Sequence, residues 1–409
     1  MRYCERGMVN VSLVSPVFSP IEARTARNGR AILGAALRVI DEESWAALTP
    51  RHVSERAGLS RTAVLSRLPD RSALGVAVWR ERIAEPLLNA WRDLVSYVDA
   101  GTDSAADLQR VMSPFTRPND VMRTAAELII VGRYDTEIFR AISETVGNEL
   151  TNWTTPATPV VSPTLAAQRA LTIGLAHGYL IEARRNRTLK VDLSREISKL
   201  AFALAHPSAP AELPTINAKH LDEPVKFDTD DPMVESVLKS TLELVGAVGF
   251  DATTIESICQ HSGFTRSVIF NRYKTKRDLF VDATNQMLSE AVSLNDHYMS
   301  RIAQDHGVSI ADACMLREFM RPGREAKVTV ALEQLRISWH DLDVQAAIDL
   351  ALIENQRRIS QEVPISVGEV SAVFVTAAAL GHGIVALANI NPDIWQLPYD
   401  VVLVPFNHK

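Results

Sequence analysis

The chain has 409 residues and a mass of 45.1 kDa, length for two or three domains of roughly 150 residues each. With 46% hydrophobic and 22% charged residues it can bury a core, which excludes wholesale disorder and a fibrous protein. Lys+Arg number 43 against Asp+Glu 49, a net charge of −6, so any nucleic-acid site has to be a local basic patch. Cys4, Cys259 and Cys314 lie far apart, match neither a zinc spacing nor a disulfide framework, and fit a reducing cytoplasm. No stretch approaches the roughly 18 apolar residues of a membrane span, and the first residues lack a secretory pattern. A cytoplasmic protein without membrane contact is expected.

In chain order, residues 1–23 read as a loose tail. Apolar residues then recur at helical spacing in Ile32, Leu33, Ala36, Leu37 and Ile40, which predicts a helix from about Arg27 to Glu43. Thr49 is an N-cap with Pro50 at the first helical position, a start signal for a helix ending at Gly58. Ser60 caps a short helix predicted over Arg61–Arg67. Residues 81–205 should form a helical body, with a late apolar helix at Leu165–Arg185. Segment 206–230 holds Pro207, Pro210, Pro214 and Pro224, which forbid a continuous helix and favour an extended connector.

After the connector the pattern returns. Val234, Val237, Leu238, Leu242 and Val245 repeat the first helix, Thr254 is the next cap, Gly263 the turn, and Thr265 caps Arg266–Arg272. Residues 283–409 should form a second helical body containing a late helix at Gly368–Ala388. Sliding the sequence against itself by 205 positions aligns Leu33 with Leu238, Trp45 with Phe250, Thr49 with Thr254, Gly58 with Gly263, Arg61 with Arg266, Arg67 with Arg272 and Arg71 with Lys276. Far downstream the same offset aligns His177-Gly178 with His382-Gly383. The chain reads as two copies of one all-α architecture. Each copy has a helix-turn-helix unit (24–80 and 231–282) followed by its helical body. Val401–Val404 is a short apolar end without a clear assignment.

A support helix, then two short helices joined through a glycine turn, is the helix-turn-helix pattern. The stretches ILGAALRVIDEESWAALTPRHVSERAGLSRTAVLSRLPDRSAL and VLKSTLELVGAVGFDATTIESICQHSGFTRSVIFNRYKTKRDL resemble the DNA-binding domain of the TetR family of transcriptional regulators. That resemblance implies an N-terminal DNA reader, a variable helical domain that receives a small-molecule effector, and last helices that pair in a four-helix bundle. Where the family usually has an aromatic-rich end to its recognition helix, this chain has Leu65-Ser66-Arg67-Leu68 and Phe270-Asn271-Arg272-Tyr273. The aromatic usually facing the DNA backbone is Arg67 or Arg272 here, which suits phosphate or guanine.

A recognition helix needs polar residues outward and apolar residues inward. Inward we place Val64 with Leu68 and Ile269 with Tyr273. Outward are Arg61, Thr62, Ser66 and Arg67, and in the second copy Arg266, Ser267, Asn271 and Arg272. Arg forks to guanine and Asn to adenine, so these are the candidate base readers. Thr49, Ser60, Arg71, Thr254, Thr265, Lys274 and Lys276 lie at helix starts or turns, where amides and cations clamp phosphate. Arg24, Arg27 and Arg30 form a candidate arm for a minor groove. The first module carries 10 basic and 5 acidic residues over 24–80, the second 6 and 8 over 231–290. On charge the first is the stronger binder.

No catalytic constellation, metal-ligand spacing or cofactor motif is present in the sequence, and no enzymatic role is expected. Trp91, Tyr134, Trp153 and Trp339 are candidates to line an effector pocket or to sit in the core. His177 and His382 would lie near a pseudo-two-fold axis, as core residues or as sensors. The expected function is a ligand-responsive repressor on double-stranded DNA. One chain would form the pseudo-dimer, and a further homodimer stays open. The alternative is a scaffold with vestigial readers that binds a small molecule or protein partner without DNA.

Overall fold

The computed structural model describes residues 20–157, 160–186, 190–214, 225–350 and 367–407. Among these the chain is helical, and the only extended pairing is an isolated bridge between Ala157 and Val161. The all-α expectation holds. None of the described helices is long and apolar enough to cross a membrane.

The support helix runs over Pro20–Glu42 and buries Ile32, Leu33, Ala36, Leu37 and Ile40. It starts earlier than the expected Arg27, so the candidate arm residues Arg24, Arg27 and Arg30 all lie within the helix. The cause is local: the segment is rich in Ala and Arg, both strong helix formers. The two short helices follow at Pro50–Ala57 and Arg61–Leu65, then Arg71–Val78 continues through one wide turn into Ala84–Asp99. The second half repeats this order with Pro232–Ala252, Ile255–Ser262, Arg266–Arg272 and Lys276–His306. Thr49 and Thr254 accept the N–H groups of His52 and Ser257 as N-caps. Gly58 and Gly263 end their helices at φ 65° and 78°, where an L side chain would be strained.

Each support helix is broken at the same place. Ser44 sits at φ 143° and Gly249, 205 positions later, at φ 76°. Both turn the chain so that the next residue, Trp45 or Phe250, points its backbone N–H into the body. Ser44 holds a conformation that non-glycine residues rarely adopt, so the contact beyond it has to hold it there.

The halves join through their late helices. Pro163–Asn186 packs along Val367–Ala388, with Ser194–Ala205 and Asp400–Asn407 beside them. The unassigned Val401–Val404 is therefore helical, with Val401, Val402 and Leu403 buried. A Cβ on Gly178 would meet the Ala379 carbonyl oxygen at 1.7 Å, and one on Gly383 would meet the Gly174 carbonyl oxygen at 1.8 Å. The two backbones touch, and only glycine fits. Tyr179 and Thr376 share a hydrogen bond of 2.9 Å across this contact. Such a bond is worth about 1 kcal/mol net, so the surrounding Leu171, Leu175, Leu180, Ile384 and Leu387, all buried, supply more. The connector docks as it goes: Ser208 N–H donates to the Val401 carbonyl at 2.9 Å and Arg317 donates to the Pro214 carbonyl at 3.0 Å.

Candidate nucleic-acid interface

In the first module Val64 is fully buried, Leu68 is half-buried, and Arg61, Thr62, Ser66 and Arg67 are exposed. Ser60 accepts the Ala63 N–H at 3.2 Å as the N-cap. The reader helix is shorter than expected, ending at Leu65, with Ser66 as its C-cap and Arg67 in the following turn. Pro69 follows Leu68, and a residue before proline is driven out of the helical region. Arg67 donates to the Thr25 carbonyl at 3.1 Å, which draws it toward the start of the support helix.

The second module keeps its full reader, Arg266–Arg272, over a buried Ile269 and Tyr273. Arg266, Ser267, Asn271, Arg272 and Lys274 are exposed. The Arg266 guanidinium lies 5.1 Å from the Phe270 ring centre. Thr265 does not cap with its side chain; its hydroxyl pairs with Ser267 at 3.1 Å.

Arg71 and Lys276, expected on phosphate, are turned inward. Arg71 donates to the carbonyls of Ala46 at 3.0 Å and Leu48 at 3.2 Å, beneath the Trp45 ring. Lys276 donates to the carbonyls of Phe250 and Thr253, both at 2.7 Å, with its ammonium 4.0 Å from the Phe250 ring centre. Burial lowers the Lys276 pKa. In both modules this cation ties down the loop that leads into the first short helix, which leaves it little to offer a phosphate.

The residues that hold the modules to the bodies escaped the sequence reading. The Trp45 N–H donates to Glu127 at 2.6 Å, and the Phe250 N–H donates to Glu333 at 3.1 Å. Ser72 bonds Asp135 at 2.8 Å, and its counterpart Arg277 bonds Asp341 at 2.6 Å. Each module is therefore fixed to its body at two matching points. The two acids are also bridged to each other: Arg336 reaches Glu127 at 3.3 Å and Glu333 at 2.7 Å. Arg184 joins Glu127 and Asp41, and His340 lies 3.1 Å from Glu127. Burial by itself would raise the Glu127 pKa, but His340, Arg184 and Arg336 hold it down at about 2. One signal was available: Glu127 stands alone in the apolar run from Ala125 to Val131, and a charge there has to be paired.

The four aromatic candidates separate in the structure. Trp91 is fully buried, Trp339 stacks under Arg184 at 5.1 Å, Trp153 is half-buried, and Tyr134 abuts Gly249. His177 is fully buried with neither ring nitrogen bonded, whereas His382 meets Glu182 of the first half at 3.0 Å. Among the described residues no group of His, Cys, Asp and Glu is arranged to hold a metal.

Residues 237–283 match the family model described as bacterial regulatory proteins, tetR family. A 52-residue stretch is 35% identical to the uncharacterized HTH-type transcriptional regulator YezE of Bacillus subtilis (strain 168). That match spans 13% of this chain and 27% of the relative's length. The match thus falls on the second module, the one that charge alone ranks lower.

Proposed function

We propose that the protein is a DNA-binding transcriptional regulator whose single chain supplies both readers of a pseudo-dimer. The observation that carries this reading is the duplicated mounting of the modules. Trp45 on Glu127 and Phe250 on Glu333 repeat one mechanical solution, and Arg336 bridges the two acids. A chain with one working reader and one decorative module has no need to repeat the joint. In this reading Arg61, Thr62, Ser66 and Arg67 face one half-site, and Arg266, Ser267, Asn271 and Arg272 the other. Thr49, Ser60, Thr254, Thr265 and Lys274 supply phosphate contacts around them. Because Ser66 corresponds to Asn271 and Thr62 to Ser267, the operator is an imperfect palindrome with half-sites about 34 Å apart.

Occupying a promoter excludes polymerase, so repression by a cytoplasmic, non-enzymatic protein is the simplest mode of action. An effector that altered the angle between the halves would move the readers out of register. The test is binding of the full chain to the DNA upstream of its own coding region over a range of salt. Affinity should fall by roughly 10³ between 50 and 200 mM salt if six or more phosphates are contacted. Affinity that is flat with salt would favour a partner-binding scaffold instead.

A further inference from the structure

A cavity of about 170 Å³ opens where the first half meets the second. Its apolar wall is Phe319, Met320, Val328, Val385 and Ala388, all from the second half. Arg133 reaches into it from the first half, two residues beyond helix Asp120–Val131. Its partners are neutral: Nε donates to the Thr329 hydroxyl at 2.9 Å, Nη1 to the Val385 carbonyl at 3.2 Å and Nη2 to the Glu325 carbonyl at 3.5 Å. Among the described residues none places a carboxylate oxygen within salt-bridge distance of it. A guanidinium has five N–H donors, and three of them are used by these protein acceptors.

Arg133 is half-buried, and desolvation, which disfavours a charge, lowers its pKa to about 10 despite the opposing attraction of Glu325. Two other charged groups line the cavity. Arg321 at its mouth is partly neutralised by Glu318 at 3.4 Å. The Glu325 carboxylate is held at 3.0 Å by the Gly323 N–H and does not pair with Arg133. We propose that this cavity binds a small carboxylate with an apolar body, its carboxylate paired with Arg133. The volume lies below the roughly 300–1,000 Å³ of drug-sized sites, which selects a metabolite-sized acid.

The position gives the site a consequence. Arg133 follows the helix that carries Glu127, the acid gripping Trp45 of the first module. The wall residue Val328 and the bonded Thr329 lie on Glu325–Ser338, the helix that carries Glu333 and Arg336 for the second module. A ligand pulling on Arg133 shifts these two helices against one another and so moves the readers. This last step rests on the regulator reading. The binding site itself does not.

The test uses the full chain without DNA, titrated calorimetrically with benzoate and hexanoate and with the neutral isosteres benzamide and hexanamide. At least one acid should bind with a Kd of roughly millimolar or better, its amide at least about tenfold more weakly. Arg133→Gln should abolish the preference for acid over amide. Ala388→Phe fills the cavity while leaving Arg133 and its partners in place, and should remove binding with the helical circular-dichroism signal retained. The site is refuted if neither acid binds, if the amides bind equally well, or if both variants keep the acid preference. A second arm adds the binding acid to the chain–DNA complex. Acid binding at Arg133 by a chain that never binds DNA would leave the site standing and overturn the regulator reading.

Discussion

Glu127 and Arg336, 209 residues apart in sequence, meet at 3.3 Å with both side chains essentially sealed from solvent. The pair is the centre of a continuous path from the Trp45 N–H through Glu127, Arg336 and Glu333 to the Phe250 N–H. Removing one partner of a buried ion pair costs about 3–5 kcal/mol, since the other charge stays buried and uncompensated. Glu127→Gln should lower stability by that order, read from the urea midpoint. The double variant Glu127→Gln, Arg336→Met should cost clearly less than the two single losses added. Simple additivity would show that the two groups are not coupled.

The same carboxylate sets an acid limit. The folded-state pKa of Glu127 is about 2 against an ordinary 4.5, so its contribution is complete above pH 4.5 and lost as pH falls toward 2. A fully buried group shifted this far contributes on the order of 3 kcal/mol. Stability curves of the wild type and Glu127→Gln should therefore converge below pH 3. Curves that stay parallel would exclude Glu127 as the titrating group.

His177 acts in an earlier window and for a different reason. Burial alone holds its pKa at about 4 instead of 6.5, and neither nitrogen has a partner. The unfolded chain takes up a proton below pH 6.5 and the folded chain only near 4, so stability declines as pH falls between those values. His177→Leu removes the orphaned nitrogens and should flatten that decline, leaving the variant more stable than wild type at pH 5. An unchanged slope between pH 6.5 and 4 would place the loss elsewhere.

The joint between halves can be tested with three glycines. Gly178→Ala and Gly383→Ala each drive a methyl into a facing carbonyl, at 1.7 and 1.8 Å, and the helices can relieve this only by separating. Gly381 lies on the same helix as Gly383 and has nothing within 4 Å of its would-be Cβ. Gly381→Ala should therefore stabilise slightly, by about 0.5–1 kcal/mol, as expected for a helical glycine replaced by alanine. Thermal melting that lowers Tm for the first two and raises it for the third is the expected pattern. Equal effects at all three would mean that the backbones do not touch.

Local rules made the caps, the turn glycines and the inward faces of the readers legible in the sequence: Thr49 before Pro50, Gly58 and Gly263 after their helices, Val64 and Ile269 facing in. Long-range partners were not. Arg71 and Lys276 look like phosphate clamps because a cation at a helix start is a local cue. Their actual partners, Ala46, Leu48, Phe250 and Thr253, are set by how the loop folds back. Arg133 shows the same limit, since its neighbours Thr329 and Val385 lie 196 and 252 residues away in the other half. Reader length failed for a smaller reason, a proline two residues beyond the expected helix end being enough to stop it.

Two opposed features bear on the relative roles of the readers. The first module has the greater positive charge, 10 basic against 5 acidic residues over 24–80, but its reader helix is short and Arg67 leans on Thr25. The second has less charge, but a full seven-residue reader that presents Asn271 and Arg272 together. Charge governs phosphate affinity and its salt dependence, whereas forked side chains on a well-placed helix govern discrimination between bases. Arg61→Ala with Arg67→Ala should therefore weaken binding to all sequences and reduce the salt slope by about one for each phosphate no longer held. Arg266→Ala with Arg272→Ala should leave most of the slope and cost about 1–3 kcal/mol of discrimination for each base no longer read. Titrations of each double variant against operator and scrambled DNA at two salt concentrations separate the outcomes. If the first pair alone erased discrimination and the second changed nothing, the second module would not be reading DNA.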